Sequence, residues 1–482
     1  MKKMTRFAAA VLVAALVAVP VFAQRGSANF TRLVTLGDSY GAGFESQSLN
    51  ERHQVWSWPA VLARQIGKNI CPASASATDN CFAVPLVSFP GIANELQITN
   101  ILAPSPVITP APGTGLPLMT TFGRAYDNLS VPGATVGALL SVTGAEPASA
   151  GEPTVVSFGR FILRGRGTEV AQAVSRQPTF IALWIGGNDY LNVAFSGTTA
   201  TMTSAADFKT RYEALLDSLI VGAPAAGFVV GNLPAPARLV PYLTLVPPVL
   251  VDPSTRQPVL IGGQPVPFIA DLGNGVIGPV PSTTLIPLHT RDKIAQGYGL
   301  PPQLKNIPPF SLLPHTGEPL AANDILTAEE IATVIARVGE YNTIIANAAA
   351  ARNIPVADVK GLFDRVTSTS GQQIGPINVN GSFITGGFFS LDGFHLTDLG
   401  YLLMANEYIK TINSSYHTAI PQASIAQLFA DNGAFFPDSS ANGVQAPTFF
   451  ALPEAGISSD AVRQITSFWA QPAVRRLRAV GH

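Results

Sequence analysis

The sequence predicts an α/β protein: a parallel sheet covered by helices on both faces. Residues 33–36, 179–185 and 227–233 are near-continuous apolar runs, the pattern of strands buried on both sides. Helical patterning falls between them, over residues 169–175 and 206–221, and alternation of this kind builds a parallel sheet. The first two runs end in turn-forming clusters, Gly37-Asp38-Ser39 and Gly186-Gly187-Asn188-Asp189. Open α/β sheets place their ligands beyond the carboxyl ends of such strands.

The other elements follow in order. Residues 60–66 read as a helix capped by Ser57, with Trp58, Leu62 and Ile66 at helical spacing. Residues 71–117 are rich in Pro, Ala and Ser and read as a long surface connection, with one strand near residues 82–87. Residues 128–135 form a loop in which Pro132 and Gly133 precede a helix-like stretch over 135–140, so its backbone can approach a ligand closely. Residues 234 to 323 break the rhythm, with recurring prolines and turns at Gly262-Gly263 and Asn274-Gly275. Their Val, Leu and Ile content argues for a Pro-rich insertion of loops and short strands over the active-site face, not a disordered linker. Thr327 and Glu330 form a capping box for the clearest helix, which carries Ile331, Val334, Ile335 and Val338 on one face and runs to about Arg352. Residues 354–359 read as the last core strand. Residues 390–397 form a loop, and Thr397 caps a final helix over 399–412.

A chain of 482 residues, 47% hydrophobic, is ample for a buried core. Only 12% of residues are charged and the formal net charge is −1, which excludes a polybasic nucleic-acid or membrane surface. Lys2, Lys3 and Arg6, an apolar stretch over 7–19 and Val21-Phe22-Ala23 before Gln24 have the layout of a secretory signal. Pro20 and the shortness of the apolar run argue against a membrane anchor, which needs about 20 apolar residues. Loss of the signal takes the net charge from −1 to −4. Cys71 and Cys81 are the only cysteines and, in an exported protein, pair into a small loop worth about 2–3 kcal/mol. The expected division is a signal peptide at 1–23, a catalytic domain at 24–416 containing the insertion at about 234–323, and a C-terminal extension at 417–482.

Serine is a weak nucleophile without a base beside it. Of six histidines, only His395 has a carboxylate, Asp392, three residues earlier in a glycine-containing loop. Asp392 can accept from His395 Nδ1, fixing the tautomer and freeing Nε2 to take a proton from Ser39. Read alone, an Asp-x-x-His pair is more often a loop cap and a surface histidine. Asn188 can donate its amide to a developing oxyanion, and Gly133 and Ser39 can donate backbone N–H groups. Asp38 is expected to brace its turn and Asp189 to cap the following helix.

Together these residues resemble the GDSL-type esterases and lipases of the SGNH hydrolase superfamily. Gly37-Asp38-Ser39-Tyr40 matches the first block, with Tyr40 where the family name has leucine. Gly133 matches the second, Gly186-Gly187-Asn188-Asp189 the Gly-x-Asn-Asp block, and Asp392-Gly393-Phe394-His395 the Asp-x-x-His block, with Leu396 in place of a frequent proline. The resemblance covers residues 32 to 413 and implies a flavodoxin-like α/β/α sandwich. It implies that Ser39 is the nucleophile, His395 the base and Asp392 its orienting partner. Gly133, Asn188 and the Ser39 N–H would form the oxyanion hole. No metal or organic cofactor is implied. The expected reaction is hydrolysis of lipid-like or short-chain carboxylic esters through an acyl-enzyme, failing as pH drops below about 6.5. A carbohydrate O-deacetylase and an inactive exported binding protein remain the alternatives.

Overall fold

The computed structural model describes residues 24–431, apart from 101–106, 236–239, 253, 254, 256, 274 and 376. The expected signal peptide and residues 432–482 of the extension lie outside the described residues.

Four strands form the central sheet: β1 (Leu33–Gly37), β2 (Phe180–Trp184), β3 (Gly227–Gly231) and β4 (Val356–Ala357), in that spatial order and all parallel. Leu33 lies opposite Phe180 and Gly37 opposite Trp184, so the two strands end level. Every residue of β1, β2 and β3 is buried, as their unbroken apolar sequences require. The last strand is shorter than expected, two residues against β3.

Residues 127–131, expected as loop, run parallel along the other edge of β1. Thr35 N–H donates to Asp127 O (2.8 Å), Leu129 N–H to Thr35 O (2.9 Å) and Val131 N–H to Gly37 O (3.0 Å). The edge is thereby paired up to the turn that carries Ser39. The segment is too short, and too close to Pro132, to read as a strand from sequence.

Two sets of helices flank the sheet. In the first, α1 (Trp58–Gln65) is capped by Ser57 and packs on α5 (Asp398–Tyr416), capped by Thr397. Trp58 stacks on Tyr408 at 4.3 Å, and Tyr408 Oη donates to Leu183 O of β2 (2.9 Å). In the second, α3 (Ala205–Gly222) packs against α2 (Glu169–Ser175) and α4 (Ala328–Ala350). Phe208 stacks on Tyr341 at 3.9 Å there. The Thr327–Glu330 capping box closes the start of α4. The outcome is an α/β fold with a central parallel sheet and flanking helices.

The stretch from 71 to 117 is a surface connection only in part: residues 72–80 are largely exposed, but its middle is not. Phe82, Ala83, Val84, Leu86 and Val87 are buried in the main core. No continuous strand forms over 82–87: only isolated bridges occur, at Phe82 and Val87, and the Ala83 and Val87 N–H groups go to the Asp127 (2.8 Å) and Gln54 (2.9 Å) side chains. The antiparallel pair in this stretch is Leu96–Asn100 with Val107–Pro110. Cys71 and Cys81 are joined by a disulfide.

Between β3 and α4 a second hydrophobic cluster forms around Leu250, Phe268, Ala270, Leu300, Leu320 and Ile325. It includes two short antiparallel pairs, Leu260–Ile261 with Gln264–Pro265 and Ile269–Asp271 with Ile277–Pro279. Among the described residues no helix is long and apolar enough to cross a membrane.

Candidate active site

The site lies where β1 and β2 end. Beyond Gly37 the chain turns into a short helix, Ser39–Ala42, capped by Asp38, whose carboxylate accepts from Tyr40 N–H (3.1 Å). Ser39 is therefore the first residue of a helix at the carboxyl edge of the sheet, 7% exposed. The Gly43 and Phe44 N–H groups both return to Ser39 O, which holds the turn tight.

Asp38 also connects this turn to the end of β2. Asn188 Nδ2 donates to Ala134 O (2.9 Å) and, at 3.4 Å, to Asp38 Oδ2. One amide hydrogen is thus fixed by the loop after Gly133, while the other makes only a long contact. Gly133 has φ +83°, and a Cβ there would lie 3.1 Å from both Thr154 Cβ and Val155 N, so this bend needs glycine. Burial raises the Asp38 carboxyl well above the usual range, and the charge of Asp189 adds to the rise.

Contrary to the sequence expectation, Asp189 does not cap its helix. It stands inside Asn188–Ser196, whose cap position is Gly187 with no side-chain bond. Its carboxylate instead accepts from Val136 N–H (2.9 Å) and Thr203 Oγ1 (2.9 Å), tying the Gly133 loop to the start of this helix. Burial pushes it up to about 6 despite those bonds.

His395 and Asp392 face each other across their loop: Nδ1 lies 2.9 Å from Asp392 Oδ2. Asp392 Oδ1 accepts from the N–H groups of Phe394 (2.9 Å) and His395 (2.8 Å) and from Ser390 Oγ (3.2 Å). Oδ2 also accepts from Gln47 N–H (2.9 Å). Burial works to raise this carboxyl, but the charge of His395 and these bonds outweigh it and hold it at about 2. The His395 ring packs against Phe44 (centroids 4.8 Å) and Tyr40 (5.7 Å), and Tyr40 Oη donates to Phe394 O (2.8 Å). These contacts bring the Asp392–His395 loop against the residues flanking Ser39.

Two groups near the site carry no sequence signal. Glu169 of α2, 1% exposed, accepts from Gly37 N–H (3.2 Å) just before the turn that carries Ser39. The turn at residues 45–48 supplies the Gln47 donor although it contains no glycine or proline. Beside His395, Phe394 packs on Phe195 (5.9 Å) and Tyr242 (6.4 Å), and Phe195 is 52% exposed.

Several solved structures resemble the chain. An extracellular lipase from Streptomyces rimosus is 12% identical, with 80% of this chain and 98% of that one covered and a TM-score of 0.32. A phospholipase A1 from Streptomyces albidoflavus is 13% identical, with 81% and 99% covered and a TM-score of 0.31. An α/β hydrolase, LAE5, from the metagenome of Lake Arreo is 11% identical, with 82% and 99% covered and a TM-score of 0.32. No curated protein matches the chain. The family model for GDSL-like lipases and acylhydrolases matches residues 33–408, from the first residue of β1 into α5. The chain belongs to the GDSL-like lipase/acylhydrolase family and is a serine hydrolase acting on ester bonds.

Proposed function

We propose that Ser39, His395 and Asp392 are the catalytic residues, with the Ser39 and Gly133 N–H groups and the Asn188 amide as the oxyanion hole. The observation that carries this reading is the Asp392–His395 pair: a carboxylate held ionised by four donors besides the imidazole, 2.9 Å from Nδ1. Such a partner fixes the tautomer that leaves Nε2 free to accept a proton.

His395 Nε2 takes the Ser39 hydroxyl proton as Oγ attacks the ester carbonyl. The C=O electron pair moves to oxygen and is held by the three donors, each worth roughly 3 kcal/mol at comparable sites. The tetrahedral species collapses, the C–O bond to the alcohol breaks, and His395 returns the proton to the leaving oxygen. Water repeats the sequence on the acyl-enzyme, releases the acid and restores Ser39. The Asn188–Ala134 bond supports the oxyanion role, since it orients the amide and leaves its second hydrogen weakly engaged.

The exposed Phe195 beside Phe394 and Tyr242 favours lipid-like or short-chain carboxylic esters, because an apolar wall next to the base suits an acyl or alkyl chain. The finer architecture we infer is a three-layer, flavodoxin-like sandwich. Residues 127–131 serve as its fifth strand, and the Pro-rich stretch 234–323 is an insertion that covers the site. Export and removal of residues 1–23 are supported by the charge and hydropathy of the N-terminus and by the disulfide, which suits an oxidising compartment. The expected boundary at residue 417 is too early: Ala423 and Leu428 are buried in the main core, and Asn406 Nδ2 donates to Ala423 O (3.0 Å), so residues 417–431 belong with the catalytic domain.

A fluorophosphonate probe should label the wild type at Ser39, and Ser39→Ala should lose both labelling and turnover of short p-nitrophenyl esters while retaining its fold. Labelling elsewhere overturns the assignment. A panel of acyl-chain lengths set against acetylated sugars separates the ester reading from O-deacetylation.

A further inference from the structure

The turn at residues 45–48 closes on itself through Glu45 N–H to Ser48 O (2.9 Å) and Ser48 N–H to Glu45 O (2.8 Å). Inside it Ser46 (φ +49°) and Gln47 (φ +68°) both adopt the left-handed conformation. Consecutive non-glycine residues stay there only where their surroundings hold them.

Two sets of contacts do so. On one side the turn grips the loop that carries Asp392. Gln47 N–H donates to Asp392 Oδ2 (2.9 Å), Ser46 N–H to Ser390 Oγ (2.9 Å), and Leu391 N–H to Ser46 Oγ (3.3 Å). On the other side Glu45, fully buried, faces His53 Nδ1 at 3.2 Å. The same nitrogen lies 3.0 Å from Asp398 Oδ1, at the start of α5 and three residues past His395. Nε2 lies 3.3 Å from Glu95 Oε2. A neutral imidazole has one N–H and would turn a lone pair towards a carboxylate on its other side, whereas a ring protonated at both nitrogens donates both ways.

We propose that His53 is a positioning residue for ester hydrolysis: protonated at both nitrogens, it ties Glu45, Glu95 and Asp398 together and so holds the 45–48 turn against Asp392. This rests on the catalytic assignment of Asp392 and His395 proposed above. Burial alone would strip the proton from His53, but the charges of Glu45, Asp398 and Glu95 outweigh it and hold the ring well above its ordinary range. The other polar groups at the cluster serve the carboxylates. Arg52 and the Asn50 amide (3.0 Å) act on Glu95, and Tyr401, which lies near Glu45, donates to Phe44 O (2.6 Å). His53 is therefore an internal cation that anchors, through one turn, the carboxylate that orients the base.

The test is a double-mutant cycle on kcat and KM with a short p-nitrophenyl ester. His53→Gln should lower kcat about tenfold with KM within about twofold, since a displaced orienting group costs transition-state stabilisation and not binding. In an Asp392→Asn background the same change should cost less than about twofold, because the group it positions is already disabled. Equal losses in both backgrounds, or a folded His53→Gln enzyme with unchanged kcat, overturn the proposal. An Asp392→Asn enzyme with wild-type kcat would instead overturn the catalytic assignment. Should His53→Gln not fold, Glu45→Gln weakens the tie between His53 and the turn with a smaller change and no contact to Asp392 of its own, and should give the same background-dependent loss; an undiminished loss sinks the idea. Retention of one equivalent of a divalent metal by the purified wild type, with kcat lost to chelator, would put a metal ion where the proton is proposed and also overturn it.

Discussion

Asp392 is where burial and hydrogen bonding compete most directly. Burial favours the neutral acid, yet four donors and the imidazole keep the carboxylate ionised to about pH 2. Its pKa is lower in the folded than in the unfolded chain, so its contribution to stability is complete above about pH 4 and is lost as pH falls towards 2. Acid unfolding followed by circular dichroism should begin at higher pH for the wild type than for Asp392→Asn measured relative to its own neutral-pH stability; identical profiles would refute this. In catalysis the same replacement should lower kcat about a thousandfold or more, as removing the tautomer-fixing carboxylate does at other serine sites. Asn188→Ala should lower kcat by about a hundredfold with little change in KM. An unchanged kcat would take Asn188 out of the oxyanion role.

At the scale of elements, helix starts and buried strands are the legible parts of this sequence. Ser57, Thr327 and Thr397 each cap the helix their position predicts, because a cap is a local hydrogen bond between a hydroxyl and an N–H a few residues on. Thr327→Ala should cost about 1 kcal/mol of stability in thermal melts while leaving kcat at 25 °C unaltered, since the capping box closes on itself within residues 327–330. The four blocks of the site are legible too, each lying at a turn. What the sequence does not disclose depends on contacts between distant segments. Residues 127–131 pair alongside β1 because β1 offers an open edge. Residues 82–87 make only isolated bridges, with the Ala83 and Val87 N–H groups taken by Asp127 and Gln54. Ser46 and Gln47 have no local reason to enter the left-handed region, so the 45–48 turn is invisible until Asp392 and His53 stand on either side of it.

Across the whole molecule charge is sparse, at 12% of residues, so single buried ions carry weight. His53 holds its proton more tightly in the folded than in the unfolded chain. Its contribution is therefore complete below about pH 6.5 and declines as pH rises through the higher folded value. The melting temperature should fall on the alkaline side, and His53→Gln should flatten that limb; parallel curves for both proteins would contradict it. Reduction of the Cys71–Cys81 bridge should cost about 2–3 kcal/mol, read as a lowered denaturation midpoint, because it closes a short loop beside the buried 82–87 stretch.

The tie between Tyr242 and the Asp392–His395 loop has a kinetic corollary. Tyr242 N–H donates to Gly393 O (2.8 Å), and at Gly393 (φ +72°) a methyl group would sit 2.9 Å from that nitrogen. The backbone joining β3 to the second cluster is thus latched two residues from the imidazole. Any breathing of that latch must be felt by His395 in the same moment, so deuterium should enter the Tyr242 amide and the amides of residues 393–395 at one common rate.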